Sequence, residues 1–261
     1  MKNLTSLALA PALVLAGCSN STTGALSLSL TARKAGAPAP SAAFSAAAAV
    51  PSVTTTGDST VIVLGNDSII VRSAELVLKE VELKRSDVAS CDAVPGNGDC
   101  EEFETGAALV SLPLGSSAIA QQVSVNAPPG TYDALEFKIH KPSSGDDAAF
   151  IAANPDFANI SIRVTGTYSQ AGTRSAFTFT SEVDQSEESS LVPPITVAEG
   201  QAANVTLRVD ISGWFLNAGK TALVDPASAN GGQPNQGVVA NNIQASFKAF
   251  EDDNHDGQED H

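Results

Sequence analysis

The residues best spaced for chemistry stand at the C-terminus of this 261-residue chain, in the run Glu251-Asp252-Asp253-Asn254-His255-Asp256-Gly257-Gln258-Glu259-Asp260-His261. Asp252, Asn254, Asp256, Gly257 and Asp260 occupy positions 1, 3, 5, 6 and 9 of the calcium-loop pattern that opens Asp-x-[Asp/Asn]-x-[Asp/Asn]-Gly. Hard oxygen ligands at alternating positions converge on one cation, and the glycine lets the backbone turn sharply. No glutamate stands at position 12, so the remaining ligands would come from a neighbouring loop or from water. A disordered, solvated acidic tail is the competing reading of the same residues. The second constellation is Cys91 and Cys100, with Asp92-Ala93-Val94-Pro95-Gly96-Asn97-Gly98-Asp99 between them. In an exported chain this spacing predicts a disulfide closing a small loop; a two-cysteine metal site is the rival, without a histidine or third thiol nearby.

The rest of the chain offers less. Asp92, Asp99, Glu101, Glu102 and Glu104 form one acidic cluster, and Glu182, Asp184, Glu187 and Glu188 another; both read as solvated loop charge. Of three histidines, His255 and His261 lie in the tail and His140 is predicted to face water from a strand. No Gly-x-Ser-x-Gly elbow, His-Glu-x-x-His pair or phosphate loop is present, which disfavours an enzyme. Trp214 is the only tryptophan, beside Phe215; it either plugs the end of a sheet or stacks on a sugar. Aromatic residues make up 5% of the chain, too few for a large sugar platform.

The N-terminus sets the address. Lys2, the apolar run over residues 4–16 and the small residues before Cys18 read as a secretory signal too short to span a bilayer. Leu15-Ala16-Gly17-Cys18 resembles the lipobox of bacterial lipoproteins, in which the cysteine is lipidated and becomes the mature N-terminus. Ser19 follows it, which by the same resemblance implies sorting to the outer membrane. Removing residues 1–17 takes away Lys2 alone among the charged residues. The mature chain then carries 13 basic and 29 acidic residues, a formal charge of −16. That balance excludes nucleic acid as a partner and disfavours lying flat on anionic lipid.

These features must be positioned by strands. Residues 24–30 alternate strictly and read as a first strand, whereas residues 35–51 are Ala, Pro and Ser with one Phe and read as a tether. Residues 61–64 and 68–71 flank Gly65-Asn66-Asp67, a hairpin turn. Leu76 and Leu78 keep step with Val81 and Leu83 only after a one-residue slip, which predicts a β-bulge near Lys79-Glu80; a short helix over residues 74–85 is the alternative. Further alternation places Leu135, Phe137 and Ile139 inward, then Ile160, Ile162 and Val164, then Phe177 and Phe179. It continues with Val205, Leu207, Val209 and Ile211 inward against Asn204, Thr206, Arg208 and Asp210. Ile243, Ala245 and Phe247 read as the closing strand. Residues 146–153, stopped by Asn154-Pro155, read as a helix, and residues 225–230 as a second.

Several of these stretches together resemble a group of uncharacterised bacterial lipoproteins related to a domain of unknown function. They are Ser73-Ala74-Glu75-Leu76-Val77-Leu78 with Val81-Glu82-Leu83-Lys84-Arg85, Gly130-Thr131-Tyr132, residues 137–142, and Val209-Asp210-Ile211-Ser212-Gly213-Trp214-Phe215. The resemblance implies a prealbumin-like or carbohydrate-binding-like β-sandwich over most of residues 59–250, and it carries no activity. The tail also resembles the shortened calcium loops of thrombospondin type 3 and dockerin modules, although here it stands alone.

The chain is therefore expected to be mainly β, an antiparallel β-sandwich of prealbumin-like or Ig-like type. Residues 1–17 are the signal peptide and 18–58 a lipid-anchored Ala/Pro/Ser-rich tether that includes a candidate strand at 25–31. Residues 59–250 form the sandwich and 251–261 the acidic tail. The expected function is that of a non-catalytic binding or structural lipoprotein of the cell envelope, in the outer membrane. Its expected partners are the membrane through the lipid on Cys18 and a glycan or an envelope protein, with calcium at the tail the one candidate cofactor. A carbohydrate-binding module is the first alternative and an envelope hydrolase the second.

Overall fold

Alternation of apolar and polar residues produces a chain built mainly of strands. The structure is a computed structural model that describes residues 24–32, 50–85, 106–115, 119–127, 129–254 and 259. In chain order the strands are β1 (Gly24–Ala32), β2 (Ser52–Thr56), β3 (Ser59–Leu64), β4 (Asp67–Arg85), β5 (Ala108–Ser111), β6 (Ile119–Ala127) and β7 (Gly130–Ile139). They continue with β8 (Ile162–Gln170), β9 (Thr173–Ser181), β10 (Gln185–Val197), β11 (Ala202–Val209) and β12 (Phe247–Glu251). Two short helices, α1 (Ala148–Ala153) and α2 (Gln236–Gln244), punctuate them.

One sheet has the order β12-β11-β1-β6, in which β1 runs parallel to β11 and antiparallel to β6. The larger sheet is antiparallel and curls around β4, whose 19 residues serve four neighbours. β3 and then β5 follow one edge of β4, while β8 and then β7 follow the other, with β9 beyond β8 and β10 beyond β7. So long a strand needs twist and interruption, and two bulges supply them. One lies between Lys79 and Glu82, where Glu80 has φ 53°, at the slip expected from the sequence. The other leaves Arg72 unpaired between Val71 and Ser73, opposite Gly166. Gly166 permits a close approach there, since a Cβ would stand 2.0 Å from the Ile70 carbonyl oxygen.

Both sheets contribute to one core. Leu28, Leu30, Val205, Leu207 and Val209 join Leu76, Leu135, Phe137, Ile162, Val164 and Phe179, all essentially buried. Phe137 meets Phe247 across the sheets at 5.3 Å between ring centroids, and Phe215 packs edge-on against Phe179 at 5.2 Å.

Several local expectations are corrected. The stretch 18–58 holds the candidate strand at 25–31 as β1 and a second strand, β2, that was not expected. β1 lies inside a sheet and β2 pairs with β3, so the Ala/Pro-rich residues between them connect two strands of the fold. Residues 74–85 are strand, not helix. Ile243 lies at the end of helix α2 and only Phe247 begins β12, so the apparent alternation over 243–247 crosses a helix end. Residues 226–229 form a 3-10 turn. Cys18, Cys91, Cys100, Asp256, Gly257 and Asp260 lie outside the described residues.

Candidate functional site

A cleft of about 780 Å³ lies on the edge of β4 at the gap where β3 has stopped pairing, after Val71, and β5 has not begun, before Glu75. Its floor is Arg72, Ser73 and Glu75; its walls are the β2–β3 turn at Gly57-Asp58 and the chain after β5, including Ser111 and Pro113. The two walls touch closely, for a Cβ on Gly115 would stand 3.3 Å from the Gly57 carbonyl oxygen. Thr60 Oγ1 donates to the Leu114 carbonyl at 2.9 Å and fixes the second wall to β3.

The charges of the cleft differ in how they are held. Glu75 accepts from Arg163 through Nε and Nη2, both at 3.0 Å, and Arg163 also reaches Asp156 at 3.1 Å and covers the Phe157 ring. Glu75 is thus neutralised from outside the cleft. Arg72 donates from Nη1 to Thr167 Oγ1 at 2.6 Å, a neutral partner, so its remaining N–H groups keep their capacity for an acceptor. Ser73 shares a hydrogen bond with Thr165 at 2.7 Å. A guanidinium, the Asp58 carboxylate, the Ser111 hydroxyl and the apolar Pro113 together suit a small polar ligand with some apolar surface.

A second cluster carries the acid–base groups. Alternation along β7 predicts His140 in water; instead it follows the last strand residue and is 6% exposed. Its backbone N–H donates to the Val77 carbonyl at 2.9 Å, which turns the ring under the loop that leads to α1. Nε2 lies 2.8 Å from Asp147 Oδ2, and Nδ1 lies 3.4 Å from Asp184 Oδ1 without hydrogen-bond alignment. Asp147 is buried, accepts the Ser143 N–H at 3.0 Å and has Lys79 Nζ at 3.6 Å. Burial by itself pushes the Asp147 carboxyl up, but the Ser143 N–H, His140 and Lys79 outweigh it and hold it below the usual carboxylate range. Both ring nitrogens face carboxylates.

The other residues singled out from sequence occupy distinct places. Trp214 is 1% exposed and its Nε1–H donates to Ser246 Oγ at 2.9 Å, so neither ring face is open to a sugar. Of the tail residues, Asp252 is fully buried and accepts from Thr206 Oγ1 at 2.7 Å, while its backbone N–H donates to the Asn204 carbonyl at 3.1 Å. Asn254 is exposed two residues further on. The first position of the proposed calcium loop is therefore a clamp that extends β12 over β11. Among the described residues no group of three or more His, Cys, Asp or Glu side chains could hold a metal ion.

Sequence reasoning missed Arg72 and Asp147. The bulge at Arg72 shifts the buried parity from Ile69 and Val71 to Ala74, Leu76 and Leu78, with alanine too small to stand out as a core residue, and the place of Asp147 depends on contacts made by the fold. No protein-family model matches the chain, nor does any curated protein or solved structure.

Proposed function

We propose that this protein is a lipoprotein of the bacterial cell envelope, anchored through Cys18 in the outer membrane. Its two sheets act as a β-sandwich with a non-catalytic binding role, and the cleft at Arg72 is the seat of binding. The observation that supports this reading is the division of labour between the two clusters. The histidine and carboxylates able to move protons are engaged with one another, whereas Arg72 faces a cleft with donor capacity to spare. The lipobox and the high net negative charge support an exported, anchored chain that keeps clear of nucleic acid.

The test has two arms. A fatty-acid analogue should label the full chain and fail to label Cys18→Ser; equal labelling of both removes the anchor. On a glycan array, a parent domain that binds should lose its signal with Arg72→Ala. Signal unchanged by Arg72→Ala places the binding surface elsewhere.

A further inference from the structure

We infer that the end of the molecule at which β1 begins faces the lipid bilayer, and that the Arg72 cleft is carried away from it. The inference rests on the lipid anchor at Cys18 proposed above and adds what that anchor does to the folded domain. Six residue steps separate Cys18 from Gly24, the first residue of β1. A fully extended chain spans at most about 3.5 Å per residue, so Gly24 lies within about 20 Å of the lipidated cysteine. β1 is no free arm: it is paired on both sides, with β11 in unbroken register and with β6 with one register shift between Leu28 and Ser29. A central strand cannot swing, so the short spacer positions the whole sheet.

Pairing identifies what else stands at that end. Gly24 pairs with Ala127 and Ala25 with Ala202, which puts the end of β6 and the start of β11 beside the anchor. From Ala127 the chain reaches β7 at Gly130, and Gly130 pairs with Val197 at the end of β10. The β6–β7 and β10–β11 turns therefore join the two sheets at this end. Arg85, the last residue of β4, packs its guanidinium about 3.1 Å from where a Cβ on Gly130 would sit. β4 runs away from there, so Glu75 in the cleft is ten residue steps along it, and Asn66, in the turn before β4, is nineteen. At about 3.3 Å per residue those steps are roughly 33 and 60 Å of strand path.

The test uses the full chain, purified with its lipid and placed in phosphatidylcholine vesicles that carry an acceptor dye on the headgroups. A genetically encoded fluorescent residue replaces either Ala198, an exposed residue of the β10–β11 turn, or Asn66, also exposed. Energy transfer to the membrane should be several-fold stronger from position 198 than from position 66. A Gly/Ser spacer of about 12 residues inserted after Ser19 should largely remove that difference, since such a linker adds about 20 Å of mean reach. Equal transfer from both positions in a chain whose mass shows the acyl group on Cys18 overturns the orientation alone. An intact mass without that group overturns the anchor and the orientation together.

Discussion

Asp147 and Glu187 are two carboxylates withdrawn from water near β7, and they respond in opposite ways. Asp147 has the Ser143 N–H, His140 and Lys79 around it, and its carboxyl is held below the usual range despite burial. Glu187, on β10 opposite Phe137, has one carboxylate oxygen buried with no hydrogen-bond partner among the described residues, and burial pushes its carboxyl up. Burial acts in the same direction on both. The partners decide which sign survives, and so which carboxylate strengthens the fold at neutral pH.

The sharpest way to break this contrast is to remove the partner of the satisfied acid. His140→Ala leaves Asp147 buried with its strongest side-chain contact gone and should destabilise the domain by about 3 kcal/mol in denaturant titration. A change below about 0.5 kcal/mol would mean that the cluster contributes little. Thr206→Ala extends the comparison to a third buried acid. It removes the hydroxyl that donates to Asp252 and should cost about 1–3 kcal/mol by the same measurement, well above the value for an exposed threonine. The smallest effect is expected at Glu187. Its raised carboxyl means that its contribution is favourable below the ordinary glutamate range and is lost as pH rises through the folded value. Glu187→Gln should therefore gain about 0.3 kcal/mol at pH 7.5, since water screens the exposed part of the carboxylate, and nearly nothing at pH 4. A loss at pH 7.5 would show that the carboxylate has a partner that matters.

Much of the strand framework was legible because period-two alternation reports one buried face. Leu135, Phe137 and Ile139, then Phe177 and Phe179, then Val205, Leu207 and Val209 are all buried as that pattern predicts. The slip after Leu78 marked the bulge at Glu80, since a bulge is a change of parity in the same pattern. Alternation fails where a second layer covers the outer face. Thr206 has the parity of a wet residue, yet Asp252 closes over it from 46 positions away. His140 fails for a different reason: the strand ends at Ile139, so parity no longer says where the next side chain points. β2 was missed because Ser52, Thr54, Thr55 and Thr56 offer no large apolar face, and only pairing with β3 makes it a strand. The cleft was illegible on the same grounds, for it exists only where β3 and β5 leave a gap on β4.

Near the end of β7, Asp147 stabilises the fold at neutral pH through the Ser143 N–H, His140 and Lys79. Equilibrium unfolding of the parent and of Asp147→Asn across pH 3 to 8 measures that contribution. The folded Asp147 carboxyl lies below its unfolded value, so its contribution is present above the ordinary aspartate range and is lost as pH falls through the folded value. The parent should be the more stable protein at pH 7, by about 2 kcal/mol or more, with the gap closing as pH falls below about 4. Equal stability at pH 7, or a gap that widens in acid, would mean that the ionised Asp147 carboxylate does not stabilise the fold.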